Sequence, residues 1–310
     1  MINTFTLNPA IDRILYLNKL EKAVTNRIQH HTYTLGGKGT HVSMNLSQMG
    51  VANRAFGLAR GDTGRRILRI LEEQNICVRF VFREDGESRT NDIIIEDDHT
   101  CTTLAEKGEM LDETDFADLC SALSEHTLEE EFLVLSGDAS NSPDPFLYNR
   151  IVEHLRTKRP KVFLDSSGDT LRKGLECSPF LIKPNQDELE ALCGFSLESD
   201  SDVLRGIGTL DAFGIEAIVV SLGKRGIVAR FGKDYYKATP PNVAVHNTAG
   251  CGDSLLAAIL YGYEKGMSHI EMLKYATAVS SAKAASPLSV GFDRELAARL
   301  LDDSLVEQII

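Results

Sequence analysis

The stretch richest in chemistry is Asn247-Thr248-Ala249-Gly250-Cys251-Gly252-Asp253-Ser254, which continues into Leu255-Leu256-Ala257-Ala258. Two glycines and small residues ahead of an apolar run describe a loop feeding the N-terminus of a helix. The open N–H groups of such a turn bind anions, and the helix dipole adds to the attraction. Glycine lets the backbone approach phosphate oxygens closely. Asp253 falls just inside the helix start. A capping carboxylate is common there, but capping explains Asp253 and not the glycines before it. A catalytic reading explains both. The carboxylate accepts a proton from an attacking hydroxyl, while the backbone amides of Gly250, Cys251 and Gly252 cradle a phosphoryl group in transit.

A second glycine cluster, Leu35-Gly36-Gly37-Lys38-Gly39-Thr40-His41-Val42-Ser43, runs from a strand pattern into a helix pattern. Its glycine spacing ahead of the lysine is not that of a Walker A loop. A glycine cluster by itself usually means a tight turn. Lys38 adds a cation where the backbone also approaches an anion.

Distant loops meet only if a scaffold brings them together, and the pattern of the chain supplies one. Short apolar runs at 4–7, 132–135, 162–165, 180–183 and 217–221 read as buried strands. Amphipathic stretches at 39–49, 63–74, 113–124, 145–156, 186–193 and 202–213 read as helices. This alternation predicts an α/β fold, a mostly parallel central sheet with helices on both faces. Segments 13–17, 29–34, 90–96 and 100–105 look like strands without intervening helices. They suggest a small second sheet, a lid over a cleft. The part from 252 to 300 is largely helical.

Composition narrows the function classes. The chain has 310 residues, is 43% hydrophobic and carries a formal net charge of -12. An acidic surface repels nucleic acid and anionic lipid, so neither is an expected partner. A local cluster of cations still suffices for a small anion. No apolar run approaches the roughly 18 residues of a membrane span. The opening Met1-Ile2-Asn3-Thr4-Phe5-Thr6-Leu7 reads directly into a strand, without the basic and apolar regions of a secretory leader. The expectation is a cytoplasmic protein. The six cysteines have neither zinc-knuckle nor redox spacing and read as free thiols. The acidic run Glu129-Glu130-Glu131 reads as a solvated helix end.

Further motifs follow in a definite order: Thr6-Leu7-Asn8-Pro9-Ala10-Ile11-Asp12, the Gly36–Gly39 cluster, Gly57-Leu58-Ala59-Arg60-Gly61-Asp62-Thr63-Gly64, Ser88-Arg89-Thr90-Asn91, Lys183-Pro184-Asn185-Gln186-Asp187-Glu188, Ser221-Leu222-Gly223-Lys224-Arg225-Gly226, and the Gly250–Asp253 loop. Together they resemble the ribokinase-like (PfkB-type) carbohydrate kinases, and within them the group of 1-phosphofructokinases and tagatose-6-phosphate kinases. The resemblance spans nearly the whole chain. It implies a ribokinase-like three-layer fold, a single domain over 1–310 with a β lid built from about 12–18, 29–35 and 88–106.

The resemblance also implies roles. Asp12, expected at the end of the first strand, accepts hydrogen bonds from sugar hydroxyls. Gly36 and Gly37 belong to the loop against which the sugar phosphate binds, and Lys38 and Arg89 hold the phosphate already on the sugar. The arginine does so through a fork and the lysine as a point charge. Asn185 and Glu188, three apart at a helix start, organise Mg2+ and the ATP phosphates through water, although their spacing equally suits a capping box. Lys183 reaches the nucleotide phosphates. Ser221, Gly223, Gly226, Gly250 and Gly252 line the nucleotide, and Asp253 is the base. The implied reaction is ATP-dependent phosphorylation of fructose 1-phosphate to fructose 1,6-bisphosphate. The alternatives are tagatose 6-phosphate, a related sugar, or a catalytically silent sensor of sugar phosphate or nucleotide on the same fold. A homodimer through the open edge of the lid is the expected assembly.

Three positions depart from the resemblance. His41 stands where the family has a sugar-contacting asparagine, and histidine titrates near neutrality. Asp138 puts a carboxylate where a hydroxyl is expected near the substrate phosphate. Cys251 replaces a small residue in the anion loop, where a helix N-terminus lowers a thiol pKa.

Overall fold

The computed structural model describes residues 1–98, 100–137 and 139–309. Asp138 therefore lies outside the described residues. In chain order, β1 (Ile2–Thr6) leads through Pro9 into β2 (Ala10–Leu17) and β3 (His30–Gly36), followed by α1 (Lys38–Gln48), β4 (Asn53–Arg60) and α2 (Gly61–Glu73). Next come β5 (Cys77–Val78), β6 (Val81–Arg83), β7 (Arg89–Glu96), β8 (Cys101–Ala105), α3 (Glu113–His126), β9 (Phe132–Ser136) and α4 (Leu147–His154). The middle of the chain forms β10 (Lys161–Asp165), α5 (Gly168–Gly174), β11 (Leu181–Ile182), α6 (Gln186–Cys193), α7 (Asp200–Gly208) and β12 (Ala217–Ser221). It closes with β13 (Ile227–Phe231), β14 (Asp234–Thr239), α8 (Cys251–Lys265), α9 (His269–Ala284), α10 (Arg294–Leu300) and β15 (Leu305–Gln308).

The large sheet has the order β15-β14-β13-β12-β11-β10-β9-β1-β4-β5, with β6 also paired to β4. Every pair from β12 through β5 is parallel, whereas β12 to β15 pair antiparallel. The mostly parallel sheet agrees with the sequence reading, which had no place for the antiparallel end. Its cause is local: only five residues link β12 to β13. Such a link makes a hairpin, while a parallel return needs a crossover of a dozen residues or more.

Alternation along the strands divides the core in two. Val134 and Phe163 face one side, with α1, α8, α9 and α10. Leu133, Leu135 and Leu164 face the other, with α3, α4, α5, α6 and α7. α2 covers a smaller cluster of Ile11, Leu35, Ala55, Ile67, Leu71 and Ile76, which joins the two sheets. The expected helix over 202–213 ends at Gly208 and resumes as a 3-10 turn at Asp211–Phe213, since Gly206 and Gly208 weaken its last turn. Glu131 is not solvated as expected. It is buried, pairs with Arg54 at 2.9 Å and accepts from Asn3 Nδ2 at 3.0 Å. All six cysteines are free.

The second sheet has the order β3-β2-β7-β8. It matches the expected strands but begins earlier, because β2 starts directly after Pro9. This corrects the placement of Asp12. It sits inside β2, not at the end of the first strand, and its Oδ1 accepts from Asn91 Nδ2 of β7 at 2.7 Å.

Phe163 anchors the middle of the large sheet. It is fully buried among Phe132, Phe180 and Tyr263, edge to face with the first and last. Phe163→Ala should cost about 3–5 kcal/mol in urea unfolding; a loss under about 1 kcal/mol would contradict this packing.

Candidate active site

The C-terminal ends of β1, β9, β10, β11 and β12 open on one side of the sheet, where open α/β sheets bind ligands. Two helices start there. α1 begins after Gly37 at φ 102° and α8 after Gly250 at φ 79°, backbone angles that favour glycine. A Cβ at Gly250 would also run into the Ser289 carbonyl oxygen. Among the described residues neither helix has a side-chain N-cap, so both present open amides. The Cys251 N–H turns back onto the Thr248 carbonyl at 3.2 Å. The amides of Gly252 and Asp253 are thus the better candidates for an anion cradle than that of Cys251.

A buried carboxylate organises the cations of this region. Asp165, at the end of β10, takes Lys38 Nζ at 3.2 Å and Lys183 Nζ at 3.4 Å on the same oxygen. Its other oxygen, Oδ2, is buried with no hydrogen-bond partner among the described residues. Burial works against the Asp165 charge, but the two ammonium groups outweigh it and hold the carboxyl below its ordinary value. Burial likewise opposes the charge on Lys38, and Asp165, Asp253 and Glu188 overcome it and raise its pKa. Lys183 also lies against Gly252, 3.1 Å from where a Cβ would stand. The first turn of α8 and a lysine therefore converge on one point.

Asn185 and Glu188 form the capping box of α6, each side chain bonding the other's backbone N–H at 2.8 Å. The second Glu188 oxygen is 3.8 Å from Lys38 Nζ. Among the described residues no group of three or more His, Cys, Asp or Glu is placed to hold a metal ion. The donor set still fits Mg2+, which is usually bound by one or two carboxylates together with substrate phosphates and waters. Glu188 and the unpartnered Asp165 Oδ2 are such carboxylates, and both residues line the cavity described next.

Two cavities share a wall. The larger, about 820 Å³, is lined by Lys183, Asn185, Glu188, Ser221, Gly223 and Gly226 and by the 250–253 turn. Apolar residues also line it, among them Ile227, Pro240, Pro241, Val243, Val245 and Leu255. The smaller, about 200 Å³, is lined by Thr6, Asn8, Gly37, His41, Arg89, Ser136, Gly137 and Ser167. Lys38 and Asp253 line both. Arg89 stands at the smaller cavity with its Nε on the Asn8 carbonyl at 3.1 Å.

At the junction, Asp253 Oδ2 lies 2.8 Å from His41 Nδ1, and His41 Nε2 lies 2.6 Å from the Leu35 carbonyl oxygen. Burial opposes charge on the ring, yet the bond and charge of Asp253, helped by Asp12 and the Leu35 carbonyl, raise the His41 pKa above its usual value.

Of the described site residues singled out in the sequence, all but Asp12 and Gly36 line one or both cavities. Those two pack on each other within the small sheet, where a Cβ at Gly36 would strike the Asp12 carboxylate. Asp165, Asn8 and Ser136 were missed; their signal was position at the end of a buried apolar run. Lys283, fully buried on α9 with Nζ 3.3 Å from the Asn247 carbonyl, was missed too, since nothing local marks a helical lysine as internal. The surroundings of Cys251 run against the lowered thiol pKa expected from its helix N-terminus. Burial pushes its thiol up, outweighing the nearby Lys283 cation.

Similarity to known proteins agrees with this geometry. A family model described as pfkB family carbohydrate kinase matches residues 6–290. The chain is 30% identical to the 1-phosphofructokinase of Vibrio cholerae over 94% of its own length and 92% of that protein's. It is 34% identical to the tagatose-6-phosphate kinase of Staphylococcus epidermidis, covering 90% of each. The crystal structure of a possible 1-phosphofructokinase from Thermotoga maritima superposes with a TM-score of 0.85 at 25% identity, over 100% of both chains. The chain belongs to the pfkB family of carbohydrate kinases, phosphotransferases whose acceptor is an alcohol group.

Proposed function

We propose that this kinase transfers the γ-phosphoryl group of ATP to the 6-hydroxyl of fructose 1-phosphate, giving fructose 1,6-bisphosphate and ADP. One observation carries the reading: Asp253 belongs to the wall between a large, partly apolar cavity and a small polar one. The large cavity has the volume of an ordinary small-molecule site. Its apolar lining suits the nucleotide base, and Lys183 beside the first turn of α8 suits the phosphates. The small cavity takes the acceptor, with Arg89 for its phosphate. Asn185, Glu188 and Asp165 Oδ2 would hold Mg2+ through water, which neutralises phosphate charge when bound. Asp253 takes the proton of the acceptor hydroxyl as the new O–P bond forms. The Gly252 and Asp253 amides hold the charge that spreads over the phosphoryl oxygens.

The small sheet acts as the lid of a single domain over 1–310, and closure excludes water. Its outer strands, β3 and β8, carry mostly exposed residues and, among the described residues, have no strand neighbours on their outer sides, which suits pairing with a second copy. We place the enzyme in the cytoplasm; among the described residues no helix is long and apolar enough to cross a membrane. A second acceptor, tagatose 6-phosphate, is favoured by the 34% identity to a tagatose-6-phosphate kinase. A silent sensor is disfavoured by the shared wall carrying Asp253.

Turnover of ATP with fructose 1-, fructose 6- and tagatose 6-phosphate, followed by ADP release, should be fastest with fructose 1-phosphate. Fastest turnover with tagatose 6-phosphate would move the assignment to that sugar, and no ADP release with any of the three would leave the sensor. Asp253→Asn should lower kcat by about 10²–10⁴-fold with nucleotide affinity nearly unchanged; near-normal turnover would remove Asp253 as the base. Asp165→Asn leaves Lys38 and Lys183 facing each other without their carboxylate. The ligand-free variant should lose on the order of 3 kcal/mol in urea, with part regained on adding ATP. Equal stability would show that Asp165 does not neutralise the pair.

A further inference from the structure

We propose that His41 is a positioning residue for Asp253: a doubly protonated imidazole that grips one carboxylate oxygen and so fixes how the other meets the acceptor. The inference rests on the reading of Asp253 as the base. Hydrogen-bond accounting carries it. The Leu35 carbonyl oxygen only accepts, so Nε2 must carry hydrogen at 2.6 Å. An ionised carboxylate also only accepts, so Nδ1 must carry hydrogen at 2.8 Å. Both ring nitrogens are then donors, which is the imidazolium.

The surrounding charges assign the proton to the histidine. Asp12 of β2 adds a second carboxylate to the field at the ring. Lys38 at the start of α1 and Lys283 of α9 act on Asp253, and Lys183 stands against the first turn of α8. Cations on that side and the α8 N-terminus keep the negative charge on Asp253. Both side chains are only 9% exposed, so water does not screen the pair strongly. The family asparagine at this position has no charge to contribute; the histidine makes the base one half of an ion pair.

His41 gives no proton to substrate. The acceptor O–H bond breaks and its proton goes to Asp253, the acceptor oxygen bonds to the γ-phosphorus, and the bond to the ADP oxygen breaks. Above its folded pKa the ring has one hydrogen for two acceptors, and either Leu35 or Asp253 then faces a lone pair. The grip on the carboxylate is lost from that pH upward. The sign for stability is the same. A histidine whose pKa is raised on folding contributes fully below the unfolded value of about 6.5, and that contribution is lost as pH rises through the folded value.

Two measurements on the full-length protein decide the matter. In side-chain nitrogen NMR, His41 should be an imidazolium at pH 6.5 with a midpoint above about 6.5, and Asp253→Asn should lower that midpoint. A neutral ring at pH 6.5, or a midpoint indifferent to Asp253→Asn, overturns the proposal. This arm needs no substrate, so it fails or succeeds independently of the kinase reading. In the second, ADP release from ATP and fructose 1-phosphate is followed against pH for wild type, His41→Asn and His41→Gln. Wild type should lose kcat on the alkaline side. The variants should lack that limb, with kcat at pH 7 lower by about 10- to 100-fold and the KM for ATP within about 2-fold, a split that general loss of structure would not give. Superimposable pH profiles in a folded variant would overturn the proposal.

Discussion

Charge balanced inside a low-dielectric wall is the constraint on which this site depends. Asp165 is buried between two ammonium groups, and Asp253 is buried against an imidazole. Neither carboxylate would be tolerated there alone, since an unpaired charge in such surroundings costs several kcal/mol. The pairing keeps five side chains, Lys38, Lys183, Asp165, His41 and Asp253, together around the two cavities. It also leaves specific vacant capacity: one oxygen of Asp165, and the open amides at the start of α8. Phosphate chemistry fits that remainder, because anions complete the cations and the amides while Mg2+ suits the free carboxylate oxygen.

Packing makes the balance possible. The two faces of the large sheet are sealed by separate apolar layers, and the polar groups of the site stand where strands stop and helices start. α1 and α8 lie in the same layer, which brings their N-termini to the same edge. Asp165 extends a strand whose previous residues are core, and Phe163 two positions earlier is wedged among aromatic rings. The position of the Asp165 carboxylate is thereby tied to that aromatic packing.

The parallel sheet, the small second sheet and both glycine loops were legible from local pattern. Strand alternation and glycine-led helix starts are short-range facts, expressed within a dozen residues. The antiparallel end of the large sheet was not legible: β13 to β15 differ from parallel strands only in the length of their connections and in their distant partners. β4 and α5 also escaped, the first because Asn53, Arg54 and Gly57 dilute its apolar run, the second because α5 is only seven residues long. Asp12 was recognised as a polar residue of interest but placed on the wrong strand, since Pro9 ends one strand and starts the next within three residues.

From residues alone came the chemistry available: a carboxylate at a glycine-led helix start, cations near open amides, and a capping pair at 185 and 188. What the tertiary structure decided is which of these act on each other. His41 and Asp253 are 212 residues apart, and Lys38 and Asp165 are 127 apart. Their meeting follows from a strand order that sets β1 between β9 and β4 and stacks α1 beside α8. Hydrogen bonds and ion pairs act over a few ångströms, so no local pattern can specify a partner that only folding brings within reach.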